Sequence, residues 1–565
     1  MKGSEVLGKF NLIDENWILV LDSSGETKEI SLTELFSNAQ NYRCLAGEMK
    51  TQDFAILRIL LAVLQTVFSR FDADGNPYDY IDLDDRFRQI EDVDEDDLSA
   101  YKKDLKRTWE NLWKAGEFPE IVNEYLEKWH DRFYLLDDKY PFMQVTEKEL
   151  DTDIYDRGKK SSASQIMLRT INRNINESGN KKPLFSPRSE SNRNNLSYAE
   201  LARWTVSFQG YTGFSDKATF TKEGYDIKSK GWLFLLGGIY LSGNNIFETL
   251  MLNLSLVHPV ESYIGYIQNP SWENEPKLVI YNLFQYKKIN NLSELYTLHS
   301  RALVLSQDSD DNNITNIKSV KLPGIEYQNQ DLELMTMWEH HKKGTYKDSN
   351  TPKKHLRNYG LWKSFGLLTL NSRNNDWSVG IITNLSLINI PEDYIVRINS
   401  ITMEEGGSSS SALLNNEIYD YLNINEYIAT DLNSGGWVIR IYDVVEETKQ
   451  IINYVYKYYL NELKLIRNQQ SDNFVEQRVE NVYFLLNDPF KNWLMSIAID
   501  DSKDQKIEEW RKTLEKIVRS EADKVLENAN PRDYTGITID DKNHNIVTAY
   551  NSFNYFLNKK LRKGD

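Results

Sequence analysis

Four long helical runs close the chain, and they constrain its fold more than any other feature of the sequence. They follow the paired glycines of the stretch "NSGGW" at 433–437 and are separated by turn-forming segments. The third run is the most regular, because its apolar residues recur at the spacing of one helix face. That stripe comprises Ile507, Trp510, Leu514, Ile517 and Val525. The neighbouring runs cover about 444–467, 473–499 and 546–561.

Helical runs of this kind, joined by loops, pack as antiparallel neighbours, because each must bury its apolar stripe against another helix. We therefore predict an all-α C-terminal four-helix bundle over residues 436–565. Pro489 is expected to kink or interrupt the second helix, since proline lacks a backbone N–H and clashes with the preceding turn.

Residues 1–435 mix helix and strand signals. "WILVL" at 17–21, the turn "DSSG" and "TKEI" at 27–30 predict a hairpin, after which Ser31 and Glu34 form a capping box that starts a helix. Further helices are predicted at 51–70, 98–113 and 118–132, and strands at 277–284 ("KLVIYNLF") and 377–390 ("WSVGIITNLSLINI"). The chain is thus predicted to be α+β, with a large mixed α/β N-terminal domain over 1–435 before the bundle.

The size and composition predict cores of ordinary density. The chain has 565 residues, of which 40% are hydrophobic, so more than one domain is expected. Cys44 is its only cysteine, which excludes an internal disulfide and a cysteine-based zinc site. The first residues are too polar for a signal peptide, and the longest apolar run, 232–241, is too short to cross a bilayer. We expect a soluble, cytoplasmic protein without a membrane partner.

Charge is strongly segregated along the chain. The net charge is −17, which weighs against a free-standing, nonspecific nucleic-acid binder. Residues 72–97 hold twelve acidic side chains against only Arg86 and Arg88, and this run is expected to face solvent.

Two basic segments interrupt the acidic background. Residues 159–198 carry eight lysines and arginines against Glu177 and Glu190, with little apolar surface, which predicts a mobile loop that orders on a polyanion or a solvated excursion. Residues 340–363 place lysines among aromatic side chains, a combination able to contact phosphates and stack on bases, although a solvated loop fits equally well. This basic patch comprises Lys342, Lys343, Lys347, Lys353, Lys354, Arg357 and Lys363 with Tyr346, Tyr359 and Trp362.

Signatures of catalysis and of cofactor binding are missing from the sequence. It contains no GxxxxGK[ST], GxGxxG, GxSxG or HExxH, and "DADGNPYDY" at 72–80 has its glycine too early for a calcium loop. His340, His341 and His355 could form an open metal site, but adjacent histidines tend to point apart on regular structure, which favours a structural role. We therefore predict no cofactor, no metal and no catalytic residue.

Four stretches in a fixed order resemble the CasA family, the large subunit of the type I-E CRISPR surveillance complex Cascade. They are "FNLIDENWILVLDSSGETKEISLTELF", "WHDRFYLLDDKYPFMQV" at 129–145, "MWEHHKK" at 337–343, where the family shows a Trp-x-His element, and "VENVYFLLNDPFKNWL" at 479–494. Together they span most of the chain.

The resemblance implies a function without enzymatic activity. Members of this family join an N-terminal α/β domain to a C-terminal four-helix bundle and carry a loop that orders near the guide RNA. They recognise the protospacer-adjacent motif on double-stranded DNA, help to open the duplex for R-loop formation, and provide the docking surface for a helicase-nuclease effector. The implied partners are the other Cascade subunits, the guide RNA, target DNA and that effector.

The resemblance also assigns candidate residues by position. Lys181, Lys182, Phe185 and Arg188 fall where the mobile guide-RNA loop would lie, and Gly210 and Gly213 in "QGYTGFSDK" match the glycine loop that approaches the duplex. Lys321, with Lys318 second, matches the lysine finger. The family's glutamine wedge falls on Ser409 and Ser410, where this chain has no glutamine.

Two alternatives come from other functional classes. A scaffold subunit of a ribonucleoprotein would bind protein and guide RNA without reading DNA. A metal-dependent hydrolase would use His340, His341 and His355.

Overall fold

The computed structural model describes residues 10–150, 163–166, 168–172, 195–212, 218–220, 230–285, 289–307, 314–326, 328–370, 380–404 and 416–562. Helices and small sheets share this part of the chain, which confirms the predicted α+β class.

The helices are α1 (Leu32–Asn38), α2 (Lys50–Phe68), α3 (Leu98–Ala115), α4 (Ile121–Lys128), α5 (Glu147–Leu150), α6 (Leu168–Ile171), α7 (Tyr198–Tyr211), α8 (Trp232–Leu235), α9 (Ile246–Asn253), α10 (Pro276–Gln285), α11 (Leu292–Tyr296), α12 (Phe365–Thr369), α13 (Ile381–Leu385), α14 (Glu426–Thr430), α15 (Trp437–Gln450), α16 (Lys457–Ile466), α17 (Asn473–Met495), α18 (Lys503–Glu527), α19 (Pro531–Thr535) and α20 (Ile546–Leu561). A π-helical segment, Ile451–Tyr456, joins α15 to α16.

The strands are β1 (Ile18–Asp22), β2 (Thr27–Ile30), β3 (Tyr42–Leu45), β4 (Ser164–Ile166), β5 (Gly238–Ser242), β6 (Arg301–Gln307), β7 (Ile314–Lys321), β8 (Trp338–His341), β9 (Ser349–Pro352), β10 (Ile395–Met403), β11 (Glu417–Asn425), β12 (Ile537–Ile539) and β13 (Lys542–His544). Within the described ranges the sheet orders are β2-β1-β3, β4-β7-β6, β11-β10-β5, β8-β9 and β12-β13.

The chain divides into two compact units. The first comprises Met1–His355, Arg373–Asn389 and Asn399–Tyr419, and the second comprises Leu356–Ser372, Ile390–Ile398 and Asp420–Asp565. The predicted domain boundary between residues 435 and 436 stays a prediction.

The N-terminal hairpin and its following helix agree with their sequence signals. β1 and β2 pair antiparallel from Ile18 opposite Ile30 to Leu21 opposite Thr27. The Ser31 side chain then accepts a hydrogen bond from the Glu34 backbone N–H and caps α1. The hairpin and the Ser31 cap are confirmed, whereas the Glu34 carboxylate accepts a 2.6 Å hydrogen bond from the Tyr42 hydroxyl instead of completing a capping box.

Helix α2 is buried on all sides in the first unit. Among the described residues it is the one helix long and apolar enough to cross a membrane, and its most apolar window is wholly buried within the protein. Its only internal charge after the first turn is Arg58, which is fully buried.

The acidic run at 72–97 lies on the surface, as predicted. All of its acidic side chains are exposed except Asp72 and Asp97, which are partly exposed. The buried Arg70 anchors the run, because its guanidinium donates a 2.8 Å hydrogen bond to the Phe87 carbonyl and forms a buried ion pair with Glu273.

Two predicted strands are wrong. Residues 277–284 belong to helix α10, in which Ile280 and Phe284, four residues apart, enter one buried cluster. Proline suits the start of a helix, and Pro276 is the first residue of α10. In the second predicted strand the described residues form the short helix α13 after Gly380. Apolar runs of this length fit strand and helix alike, so the tertiary partner decides between them.

The predicted C-terminal helical runs are present in the second unit. α17 packs against α16 and α18, and α20 packs against α16 and α18. The rings of Trp510 and Phe490 meet edge to face with their centres 5.0 Å apart, and the ring centres of Tyr459 and Phe553 are 5.4 Å apart. On α18 the buried stripe includes Val518, whereas Ile517 is only partly buried.

Pro489 does not interrupt its helix, so that form of the prediction is wrong, and a kink at this residue stays a prediction. It lies inside α17, which continues to Met495. Proline has no backbone N–H to donate to the Leu485 carbonyl one turn earlier, and the Leu485 side chain is exposed on the surface of the helix.

Candidate nucleic-acid interface

A buried carboxylate, Glu333, fixes the centre of the candidate interface in the first unit. Its two oxygens accept hydrogen bonds of 2.9 Å from the Arg58 guanidinium, and Oε2 also accepts one of 2.8 Å from the Trp232 indole. The Glu333 carbonyl accepts from the indole of Trp338, 3.2 Å away. Trp338 is the tryptophan of the Trp-x-His element, so this network holds that element against the core helix α2.

Segment 230–238 then passes close to neighbouring backbone. A Cβ on Gly237 would overlap the Lys353 carbonyl oxygen, and one on Gly238 would lie 3.1 Å from the carbonyl oxygen of Ile401 in β10. Glycine permits this approach because it lacks a side chain. The segment therefore brings the ends of β9 and β10 together.

Three lysines lie along this segment. The Lys354 ammonium lies 3.7 Å from the centre of the Phe234 ring, and the Lys230 ammonium lies 5.0 Å from the same ring. Lys353 forms a 2.8 Å ion pair with Glu339, so part of its charge is compensated. The Phe234 ring is itself fully buried, so it supports the ammonium groups from within the protein, and the lysines are the groups that can contact a polyanion.

The β8–β9 hairpin presents three further lysines of the predicted patch. Lys342 and Lys343 lie in its exposed turn with Lys347. Their charges face solvent, where they can neutralise phosphates. Two further residues of the predicted patch belong to the second unit, where Arg357 is exposed and Lys363 is buried.

The histidines do not converge. His340 Nδ1 lies 3.1 Å from Asn350 Oδ1, and His341 Nε2 lies 2.7 Å from Thr351 Oγ1 across the hairpin. His355 is buried, and its backbone N–H donates to Thr402. Among the residues that the structure describes, no group of three or more histidine, cysteine, aspartate or glutamate side chains could hold a metal ion.

Gln209 connects Gly210, its neighbour in the chain, to the strand pair that contains Lys321. The Arg301 backbone N–H, which lies opposite Lys321 in the β6–β7 ladder, donates a 3.0 Å hydrogen bond to Gln209 Oε1. Gly210 follows, and a Cβ there would lie 2.6 Å from Leu233 Cδ1. The structure thus connects Lys321, Gly210 and the segment beneath Lys354.

Two of these candidates lie in settings that the sequence did not indicate. Gly210 belongs to the last turn of α7 and is buried, so it lies in a helix where a loop was expected. Lys318 forms a 2.7 Å ion pair with Glu147, which compensates its charge.

The described residues on either side of Ser409 and Ser410 are held by hydrogen bonds. The Glu404 backbone N–H donates a 2.8 Å hydrogen bond to the Asn416 carbonyl. The next residue, Glu417, accepts from the backbone N–H groups of Lys50 at 3.0 Å and Thr51 at 2.9 Å and so caps α2. The α2 N-cap residue itself, Met49, makes no side-chain cap.

Burial shifts the ionisation of one group beside this cap. Asp53 is almost fully buried, and this raises its pKa to about 6, although Lys50 at 3.1 Å and the Gly47 backbone N–H oppose the shift. The nearby Glu417 adds to the increase of the pKa.

Several candidates lie outside the described residues. They are Lys181, Lys182, Phe185, Arg188, Gly213, Ser409 and Ser410. Their roles stay predictions.

Sequence reasoning missed the residues that hold the interface together. Gln209, Trp232, Phe234 and Glu333 carry no motif. Arg58 gave one usable signal, because a single charge within the apolar stretch "FAILRILLAVLQ" at 54–65 indicates a buried partner.

Comparison with known proteins places this chain among the CRISPR-associated proteins. The model of the family described as CRISPR-associated protein Cse1 matches residues 11–520. The chain belongs to the Cse1 family, also called CasA, which confirms the resemblance found in the sequence. The protein described as CRISPR-associated protein CasA/Cse1 from Thermus thermophilus is 26% identical over 272 residues, 48% of this chain. That match spans 43% of the relative's length.

Solved structures share the fold along nearly the whole chain. Cse1 from Thermobifida fusca has a TM-score of 0.76 at 22% identity, with 98% of both chains covered. Cse1 from Acidimicrobium ferrooxidans has a TM-score of 0.67 at 18% identity, with 99% of both chains covered. A chain of a structure described as a CRISPR RNA-guided surveillance complex has a TM-score of 0.65 at 13% identity, covering 98% of this chain and 100% of that one.

Proposed function

We propose that this chain is the large subunit of a type I-E CRISPR surveillance complex and recognises the protospacer-adjacent motif on double-stranded DNA. Membership of the Cse1 family supports the subunit role. One set of contacts supports the DNA-reading role. These contacts link Lys321, Gly210 and Lys354, and they run through Gln209, Leu233 and Phe234.

Within this proposal, the lysines position the duplex and the backbone reads it. Lysines neutralise phosphates without sequence preference, which sets the register of the duplex on the protein. A motif read from the minor groove offers a degenerate pattern of donors and acceptors, so tolerance of several motifs follows. Guide-RNA pairing would supply the long sequence specificity.

The remaining functional elements follow from the same proposal. Lys181, Lys182, Phe185 and Arg188 would bind near the guide RNA when the complex assembles, and Ser409 and Ser410 would enter the duplex in place of a glutamine. A C-terminal four-helix bundle over 436–565 would help to dock neighbouring subunits and a helicase-nuclease effector. The chain would act without catalysis, cofactor or metal, in the cytoplasm.

Lys321 and Lys318 provide a matched test, since they lie three residues apart on β7. In the assembled complex, Lys321→Gln is expected to reduce binding to duplexes with the motif more than to duplexes without it. Lys318→Gln is expected to have a smaller effect, because Glu147 already compensates that charge. Equal affinity for both duplexes in the unaltered complex would instead favour the scaffold without DNA reading.

A further inference from the structure

The second unit exposes large aromatic side chains on its first and last long helices. Tyr454, in the π-helical segment, is 74% exposed, and on α20 Tyr555 and Phe556 are 62% and 46% exposed. Tyr458 is also exposed. Such residues on a helix surface normally mark a site that binds something.

Polar contacts join the helical run 450–462 to residues 544–560 at both ends, and we call the line where they meet the aromatic seam. Lys560 donates to Gln450 at 2.9 Å, and His544 lies 2.9 Å from Glu462. Residues four apart lie on the same side of a helix. One stripe therefore runs Gln450, Tyr454, Tyr458 and Glu462. The facing stripe runs Lys560, Phe556, Ser552 and Thr548 on α20 and ends at His544 in β13.

Ring contacts beneath the seam confirm its register. The ring centres of Tyr456 and Phe553 are 6.3 Å apart, and those of Tyr459 and Tyr550 are 6.1 Å apart. Because the residue numbers rise on one helical run as they fall on the other, the two runs are antiparallel. Tyr454 is consequently level with Phe556. Tyr454 lies in the π-helical segment, a local widening of the helix that often accompanies functional sites.

The charge around the seam is positive, in contrast to the chain as a whole. Lys559 and Arg562 are exposed beside it and Lys560 lies within it, while the exposed Lys457 also interacts with the Asp472 carboxylate. The only carboxylate in the two stripes is Glu462, which is paired with His544. The whole chain has a net charge of −17, so this local excess is distinctive.

Another exposed aromatic residue on the same unit has the opposite surroundings. Phe484 on α17 is 78% exposed, but Glu480 and Asp488 lie four residues before and after it. Aromatic exposure alone therefore does not distinguish the seam. The combination of aromatic rings with lysines does.

We propose that this aromatic seam binds a single strand of DNA without sequence preference. Exposed rings stack on bases of any identity, while lysines follow the backbone phosphates. A protein partner fits less well, because the cores of protein interfaces are depleted in lysine. The site extends the proposed function, which requires an opened duplex, but its chemistry does not depend on motif recognition.

The test uses the full-length chain and a fluorescent oligo(dT) of about 20 nucleotides, long enough to span a site of this kind, with affinity measured by anisotropy. The double variant Tyr454→Ala with Phe556→Ala is expected to bind about tenfold more weakly or worse, because stacking on two rings is lost. Phe484→Ala is the matched control and is expected to bind as the unaltered chain does. Thermal melting of each variant confirms that it folds.

The lysines give a second, independent readout. Replacing Lys457, Lys559 and Lys560 with glutamine is expected to lower the slope of log affinity against log salt by about 2, since each phosphate contact on a single strand contributes about 0.7. Unchanged affinity in the double aromatic variant, or an equal loss in Phe484→Ala, would overturn the proposal. Tighter binding of oligo(rU) through the same residues would assign the seam to RNA and also overturn it. Loss of motif recognition in Lys321→Gln leaves this assay unaffected, so the two proposals fail separately.

Discussion

Arg58 and Glu333 form a bidentate ion pair across 275 residues of sequence, with both side chains withdrawn from solvent. The Arg58 guanidinium also lies 4.2 Å from the centre of the Tyr296 ring. Glu333 in turn holds the indole of Trp232, and its backbone carbonyl holds that of Trp338. A single buried pair therefore connects the core helix α2 to the surface on which the candidate DNA contacts lie.

Breaking this pair is expected to destabilise the first unit strongly. Glu333→Ala leaves a buried guanidinium without its partner, which typically costs about 3–5 kcal/mol in the free energy of unfolding. Arg58→Met combined with Glu333→Leu should cost less than the sum of the single changes, because neither charge is left alone. Urea denaturation of the four proteins measures the coupling, and a coupling energy near zero would contradict this account.

Gly237→Ala is expected to displace the lysines of the interface. Its Cβ would overlap a backbone carbonyl, which cannot move aside as a flexible side chain can. We expect a loss of about 1–3 kcal/mol in the free energy of unfolding and weaker DNA binding by the assembled complex. Gly380→Ala is the control, since the nearest atoms to its Cβ would be 3.9 Å away, and it should change stability by less than about 0.5 kcal/mol.

Asp53 predicts a specific dependence of stability on pH. The folded protein binds the proton more tightly than the unfolded chain, since burial raises the pKa of Asp53 from 3.8 to about 6. The free energy of unfolding should therefore fall as pH rises from about 4 to about 6, by at most about 3 kcal/mol, and this contribution should stay level above that range.

Asp53→Asn should remove this contribution. The difference in unfolding free energy between the variant and the unaltered chain isolates it from the buried His258 and His299, whose pKa values are lowered to about 4 by burial and whose effect has the opposite sign. A difference that does not change between about pH 4 and about pH 7 would contradict the assignment.

The hairpin lysines predict a salt effect on duplex binding. Replacing Lys342, Lys343 and Lys347 with glutamine should reduce the slope of log affinity against log salt by about 3, if each contacts one phosphate of the duplex. Lys28→Gln is the control, because Asp22 at 2.8 Å already pairs with that lysine. An unchanged slope in the triple variant would place the duplex elsewhere.

Local patterns in the sequence predicted local structure well. The β1–β2 hairpin, the Ser31 cap and the closing helices each depend on residues close in sequence. The errors arose where contacts with residues distant in the sequence decide between helix and strand. Residues 277–284 became a helix because Ile280 and Phe284 enter one buried cluster.

In the candidate site, too, features set by neighbouring residues could be predicted and features set by distant partners could not. The lysines were visible as a pattern, whereas Gln209 and Glu333 acquire their roles only through contacts with residues distant in sequence, 92 and 275 positions away. The burial of Gly210 likewise depends on Leu233 in a separate segment. No local signal in one sequence encodes such pairings.

Glu417 gives the core helix a cap that its own N-terminal residues lack. The helix start and the strand that follows residue 416 are therefore thermodynamically linked, and linkage of this kind is reciprocal. Any ligand that shifts Glu417 must change how often the first turn of α2 opens. Amide hydrogen exchange at Lys50 and Thr51 thus becomes an internal reporter of events near residues 404–416, readable without a label on DNA or protein.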